Sequence, residues 1–280
     1  MEQPKQQPQQ QQQNPFAKVE ELLQQQNAML DRLVQQTTIA NRVRDGKLKF
    51  LYRDRWFEFS LPEASSDLTQ KLMALAGGFK DLHELQNLEQ YLRQDAVVVD
   101  IGANIGNHTV WFASRPQVAH VIAFEPQRQV FDILNENIRL NELDDKVSTY
   151  NKALGSGKFE EAEIAAYTDG SSLVNNGQTT FREVEKGGYP VKTLDAYDLK
   201  RLDLVKIDVE GMQLEVLQGA QETLKRLRPV LYVEMLAGPQ PHTRNLYSRE
   251  HEMDAPKRLL SDLGYDIRRV TPMDYLAIPR

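Results

Sequence analysis

The ten residues Val97-Val98-Val99-Asp100-Ile101-Gly102-Ala103-Asn104-Ile105-Gly106 constrain the fold more than any other stretch of this chain. A β-branched apolar run leads into an acid and then two glycines, and a helical pattern follows at once. Such a run reads as a buried strand. The glycines let the backbone turn tightly and let a ligand approach it without interference from a Cβ. From Asp95 onward, apolar runs at 96–99, 118–124, 204–207 and 230–233 alternate with helical patterns at 107–114, 127–140 and 212–227. That alternation demands right-handed crossovers, so the expectation is an α/β, doubly wound, mostly parallel sheet with helices on both faces. Residues 155–189, rich in Gly, Ser, Asn and charge, interrupt the rhythm and read as a loop-rich or β insertion.

Three segments precede this domain, which is assigned to residues 93–280. Eight of the first 13 residues are Gln, so residues 1–15 cannot bury enough surface to offset their ordering entropy and are expected to be disordered. Over 16–42, Phe16, Val19, Leu23, Gln26, Leu30, Leu33, Thr37 and Ala40 alternate spacings of three and four. That is the rhythm of a helical coiled coil, and it predicts a homo-oligomer joined through residues 16–40, with Gln26 restricting the register. Residues 43–92 form a lead-in. Its aromatic-rich stretches 48–52 and 56–61 read as a hairpin joined by Arg53-Asp54-Arg55, followed over 67–92 by one or two helices broken near Gly77-Gly78.

Composition excludes several classes of function. A net charge of −6 argues against a chain whose main task is gripping nucleic-acid phosphates. With no cysteine there is no disulfide, thiolate nucleophile or Cys-based zinc site. No apolar run approaches the length of a membrane span, and Met1-Glu2-Gln3-Pro4-Lys5 lacks the features of a secretory signal, so the expected location is cytoplasmic.

The strand ends carry the chemistry. A dinucleotide fingerprint counted from Gly102 would need glycine at positions occupied by Asn104 and Asn107, which disfavours NAD and FAD. Glu125 closes the second strand, where an acid accepts hydrogen bonds from both hydroxyls of a ribose and repels a 2′-phosphate. In Lys206-Ile207-Asp208-Val209-Glu210-Gly211, strand alternation is expected to place Lys206, Asp208 and Glu210 on one face, a costly arrangement unless they line a polar cavity. Asp100, Glu125, Asp208 and Glu234 all fall at carboxyl ends of strands, where open α/β sheets bind ligands.

Taken in order, these pieces resemble the FkbM-type methyltransferases. The matching segments are Asp100 to Gly106, Phe124-Glu125-Pro126, Ala153-Leu154-Gly155, Thr193-Leu194-Asp195, Lys206 to Gly211, Val216 to Ala220, and Pro229 with Glu234. The resemblance implies a seven-stranded sheet with an antiparallel last strand near 274–278, S-adenosylmethionine as methyl donor, and a hydroxyl acceptor on a small molecule or glycan. It implies a cofactor set of Asp100, Gly102, Ala103, Asn104, Gly106 and Asn107 around the methionine part, Glu125 and Pro126 at the ribose, and the Asn151–Ala153 turn at the adenine. Gln213 and Met235-Leu236 depart from the residue types usual at their positions.

Methyl transfer asks the protein to position an acceptor oxygen and remove its proton. Asp208 and Glu210 are the candidates for that task, with Lys206 tuning their charge, and His83, His108 and His251 are further possible bases. Two rival readings use the same residues. In one, Asp208, Glu210 and Glu234 hold a Mg²⁺ that binds the acceptor hydroxyls. In the other, the chain is a coiled-coil scaffold carrying an inactive methyltransferase fold.

Overall fold

The structure is a computed structural model that describes residues 17–166, 179–185, 188–235 and 254–280. The Gln-rich tail, Phe16, Leu236 and His251 lie outside the described residues. Helix α1 (Ala17–Arg42) runs without a break. Leu22, Leu23, Met29, Leu30, Leu33 and Val34 stand exposed along it, while Ile39 is buried near its end. There the Arg42 guanidinium donates to the carbonyls of Ala74 and Leu75, which ties the last turn of α1 to the next helix.

Strands β1 (Val43–Arg44), β2 (Lys47–Tyr52) and β3 (Arg55–Ser60) form an antiparallel sheet. Tyr52 pairs with Arg55, so only Arg53 and Asp54 make the turn, and both have positive φ, as a tight hairpin requires. Period-two alternation turns Leu48, Phe50, Phe57 and Phe59 inward, where Phe79 packs edge-on against the three phenylalanines. Helix α2 (Leu68–Ala76) starts with the Asp67 carboxylate accepting from the Gln70 N–H at 2.8 Å and ends at Gly77 in the left-handed region. Helix α3 (Leu82–Leu88) follows the predicted break.

The main sheet is built from β4 (Ala96–Ile101), β5 (Val118–Phe124), β6 (Val147–Tyr150), β11 (Leu204–Ile207), β12 (Val230–Glu234), β13 (Tyr265–Arg269) and β14 (Asp274–Pro279). Their order is β13-β14-β12-β11-β4-β5-β6, parallel except for β14, which runs antiparallel between β12 and β13. The doubly wound seven-stranded sheet is therefore as expected. Helices α4 (Asn107–Ala113) and α5 (Arg128–Leu140) connect β4, β5 and β6. The insertion contributes β7 (Ala153–Leu154), β8 (Glu161–Ala166), β9 (Thr179–Val184) and β10 (Tyr189–Lys192) to a second sheet of order β7-β10-β8-β9. The predicted helix over 212–227 is two helices, α6 (Gln213–Gln218) and α7 (Gln221–Leu227). Its break holds Gly219, where a Cβ would lie 1.9 Å from the Gly155 carbonyl oxygen. Helix α8 (Asp254–Asp262) precedes the last two strands.

Two apolar layers sandwich the sheet. One joins Ala96, Val98, Leu204 and Leu276 to α4, α5, the β2–β3 hairpin and α2. The other joins Val99, Ile101, Val205, Ile207, Leu231 and Val233 to α6, α7 and α8. The first layer is continuous across residue 92. Two buried asparagines reinforce it: Asn137 accepts from the Ser60 N–H at 2.6 Å and donates to the Ile105 carbonyl at 2.8 Å, and Asn141 exchanges two hydrogen bonds with the Glu58 backbone. The hairpin thus docks on α5 through backbone groups of β3 that would otherwise be left unpaired.

Candidate active site

The strand register places charged residues in rows across the carboxyl end of the sheet. Lys206 lies opposite both Asp100 and Tyr232, which puts these three on one face of β4, β11 and β12. Two residues further along, the same face carries Gly102, Asp208 and Glu234, with Glu234 paired to Asp274. Glu125, directly beyond β5, extends this row on the other side of Gly102.

Lys206 is 2% exposed, so its charge is tolerable only if it is fully partnered. Its ammonium donates to the Gly102 carbonyl at 2.8 Å and lies 3.3 Å from Asp100 and 3.5 Å from Asp208. Asp100 is completely buried and also accepts from the Thr109 hydroxyl at 2.6 Å. Burial would lower the Lys206 pKa, but Asp100 and Asp208 outweigh it and hold the group above the ordinary lysine value. Asp208 is a third exposed. Burial pushes its carboxyl up, yet Lys206, a hydrogen bond with Glu234, Lys80 and His108 together hold it below the usual carboxylate range. Glu234 and Glu210 move the other way, through burial and then the negative charge of Asp208. The result is one ionised carboxylate beside two carboxyls that keep their protons at neutral pH.

Strand alternation explains Lys206 and Asp208 but not Glu210. β11 ends at Ile207, and Glu210 reaches the cluster from a turn in which it has φ +48° and Gly211 has φ +108°. The glycine loop also differs from a simple ligand cradle. Gly102 has φ +77°, and a Cβ there would lie 1.8 Å from the Asp208 carbonyl oxygen. Glycine is required because the loops after β4 and β11 touch. The N–H groups of Gly102 and Ala103 both donate to the Phe124 carbonyl, and the Asp208 N–H donates to the Ile101 carbonyl at 3.1 Å. Ala103, Gly106 and Asn107 are buried behind the loop, while Gly102 and Asn104 keep part of their surface open.

Glu125 is 4% exposed; its carboxylate accepts from the Asn104 N–H at 3.0 Å and the Gln127 N–H at 2.8 Å. A carboxylate has about four acceptor positions, so two remain for a ligand. Burial pushes the Glu125 pKa up to about 7 against the pull of those two N–H groups. Pro126 is buried, and the Asn151 amide donates to the carbonyls of Glu125 and Pro126, at 2.9 Å each. That bond fixes the turn after β6 against the end of β5. Phe124, Tyr150 and Tyr197 form an aromatic cluster beside the turn, and Ala153 packs with Val191 and Met212.

Three residues join the site without having been singled out from the sequence. Lys80 is the first; its backbone is clamped by both ends of the Asn107 amide, at 2.9 and 3.0 Å, its ammonium holds Asp81 at 2.6 Å, and its charge is felt at Asp208. Tyr232 and Asp274 are the others, joined by a hydrogen bond. Tyr232 lies two residues before Glu234 on the same strand face, so alternation alone would have found it. His108 is buried in the cluster, and burial, Lys206 and Lys80 hold its pKa well below the ordinary value, so it is neutral. His83 is exposed on α3. Gln213 is buried with its amide nitrogen unpaired among the described residues, and Met235 is buried in the apolar layer beneath α6, α7 and α8. Among the described residues no three His, Asp or Glu side chains converge at metal-ligating geometry.

Residues 100–267, more than half of the chain, match the model of the methyltransferase FkbM domain. The chain belongs to the FkbM methyltransferase family. It is 32% identical over 174 residues to hexuronic acid methyltransferase AglP of Haloferax volcanii, spanning 58% of this chain and 66% of that protein. It is 28% identical over 216 residues to methyltransferase sdnD of Sordaria araneosa, covering 64% of this chain and 76% of the other. Among solved structures, methyltransferase FkbM from Methylobacillus flagellatus aligns with a TM-score of 0.44 at 15% identity, covering 90% of this chain and 60% of that one. Membership in the FkbM family makes S-adenosylmethionine the methyl donor. The residues present fit it: Glu125 has acceptor capacity to spare where a ribose would lie, and Gly102 and Asn104 are the open members of the adjoining loop. No helix among the described residues is long and apolar enough to cross a membrane.

Proposed function

We propose that this FkbM-family protein transfers a methyl group from S-adenosylmethionine to a hydroxyl oxygen of a small molecule or glycan. The observation that supports this reading is the row Glu125, Gly102, Asp208, Glu234, which sets a buried carboxylate with spare acceptor positions and a cluster of coupled carboxyls on either side of one glycine. When bound, the cofactor supplies an electrophilic methyl carbon on a sulfonium that leaves as a neutral thioether. Glu125 would accept the ribose hydroxyls, Gly102 and Asn104 would hold the methionine part, and the turn fixed by Asn151 would hold the adenine. Asp208, kept ionised by Lys206, accepts a hydrogen bond from the acceptor hydroxyl and orients its lone pair toward the methyl carbon. Asp208, the ionised member of the three carboxyls, takes the proton as the oxygen attacks, while Glu210, whose pKa is raised by burial and by Asp208, stays protonated and leaves the charge on Asp208.

The test pairs binding with transfer. Calorimetry on the full chain is expected to show S-adenosylmethionine binding that weakens in Glu125→Ala, and labelled cofactor with cell extract is expected to give a labelled product. Binding that is unchanged in Glu125→Ala removes the ribose assignment. A product formed only with added Mg²⁺, and lost on chelation, moves the carboxylates from proton transfer to metal binding.

The same reading includes self-association through α1. Its exposed Leu23, Leu30 and Leu33, with Gln26 between the first two, follow the three-four spacing that a second helix of the same spacing complements, and residues 22–30 carry no charge to oppose that contact. A second copy of the chain supplies such a helix. Light scattering on Leu23→Glu/Leu30→Glu is expected to show a smaller particle with cofactor affinity intact; an unchanged mass removes the stalk.

A further inference from the structure

We infer that the outer face of the β1–β2–β3 sheet is a docking surface for a bilayer rich in anionic lipid. The surface belongs to the lead-in, outside the matched residues 100–267.

Strand register decides which side chains share that face. Leu48, Phe50, Phe57 and Phe59 point into the core, so their neighbours in the chain point away from it. Val43 pairs with Leu48, which leaves Arg44 opposite Lys47 on the outer side. Two residues along β2, Lys49 stands opposite Glu58, and two further on Leu51 stands opposite Trp56. The outer face therefore carries three cations, one carboxylate and an apolar pair. Glu58 bridges Lys47 at 3.2 Å and Lys49 at 2.8 Å, one negative charge for two positive ones.

Two features of this face disfavour leaving it bare. Like charges directly opposite each other on neighbouring strands repel, and Arg44 and Lys47 are so placed. Trp56 is 69% and Leu51 55% exposed among the described residues, and the two lie side by side. An apolar pair alone would not name its partner; the charge around it does. Residues 42–58 hold six Lys or Arg against three Asp or Glu, in a chain whose net charge is −6. Side chains on one face of a sheet project in one direction, so a flat anionic surface meets all of these groups together. Trp56 and Leu51 then enter the boundary between headgroups and acyl chains, the depth at which an indole is favoured. Arg44, Lys47 and Lys49 reach the lipid phosphates on their flexible stems. A nucleic acid would also match cations and an aromatic ring, but it leaves Leu51 in water, and the acidic remainder of the chain repels a long polyanion.

The two tryptophans make the test direct. Trp111 is fully buried and Trp56 is open, so a change of emission on binding reports Trp56. The full chain is titrated with vesicles of phosphatidylcholine, alone or mixed with phosphatidylserine. The expected result is co-sedimentation with the mixed vesicles and a blue shift of emission, neither of them seen with phosphatidylcholine alone. Added salt should weaken the binding. Trp56→Phe should abolish the shift. Arg44→Gln/Lys49→Gln, at two exposed positions, should keep a native circular dichroism spectrum and weaken binding about thirtyfold, the loss of two surface cations. No sedimentation with the mixed vesicles, or equal sedimentation with neutral ones, overturns the inference. So does a lipid-free protein whose emission is already blue and shielded from a soluble quencher, since another segment then covers Trp56. A blue shift that grows with protein concentration without lipid gives the face to a second copy, and tighter binding of a single-stranded oligonucleotide gives it to nucleic acid; either result overturns the inference as well.

Discussion

The two faces of β4, β11 and β12 differ in one respect. On the face toward α6, α7 and α8, Val99, Ile101, Val205, Ile207, Leu231 and Val233 stay apolar to the last rung. On the face toward α4 and the hairpin, Val98 and Leu204 give way to Asp100, Lys206 and Tyr232, then to Gly102, Asp208 and Glu234. The same strands therefore build a core with one set of side chains and a site with the alternate set. A period of two makes this possible, because neighbouring residues meet different layers. The apolar face supplies the rigidity that lets charged groups on the other face be buried in fixed geometry.

The sharpest way to break this division is Gly102→Val. A side chain there would meet the Asp208 carbonyl from a left-handed backbone, so the loops after β4 and β11 must separate. No folded, cofactor-binding protein is expected, and a native circular dichroism spectrum together with normal affinity would refute the contact. Next in size is Asp208→Asn on the polar face. It keeps shape and removes charge, and turnover should fall by about 10²–10⁴-fold with cofactor affinity nearly unchanged and only a modest loss of melting temperature, since Asp100 still partners Lys206. A fall in melting temperature with full activity would make Asp208 an ion-pair residue only. Leu231→Ala, fully buried on the apolar face, should do the reverse. It should cost about 2–5 kcal/mol in denaturant unfolding and leave turnover per folded molecule unchanged. The smallest effect concerns pH. On the proposed reading Glu125, with its pKa near 7 when free of ligand, must lose its proton to accept two ribose hydroxyls. S-adenosylmethionine affinity should therefore fall as the pH drops, by about tenfold between pH 8 and pH 6, since a tenfold protonated excess reduces the competent fraction accordingly. Glu125→Gln should bind with no such dependence in calorimetry across that range.

The central strands were legible because burial on both faces makes them continuous apolar runs. The outer strands were not. β6 and β13 lie at the two ends of the sheet, each with one buried residue and the rest partly or fully open, and the sequences Val147-Ser-Thr-Tyr and Tyr265-Asp-Ile-Arg-Arg carry little apolar signal. In the site, Glu125, Asp208 and Lys206 could be read from their places at strand ends. The position of Glu210 depends on a left-handed turn that alternation cannot foresee, and Lys80 on a clamp to Asn107, 27 residues along the chain. Gly102 was legible as a necessary glycine, but its reason was not, since the contacting Asp208 carbonyl belongs to a loop more than a hundred residues away.

The docking of β3 onto α5 has a consequence for synthesis of the protein. Asn137 and Asn141 bind backbone groups of Ser60 and Glu58 that were made 77 and 83 residues earlier. The aromatic hairpin therefore leaves the ribosome well before the surface that covers it. At about 5–20 residues per second the gap lasts roughly 4–16 seconds. During that interval Phe50, Phe57 and Phe59 have only the lead-in segment itself, with Tyr52, Met73 and Phe79, for cover. The nascent chain is most exposed to aggregation then, and it is the stage at which a chaperone would find it.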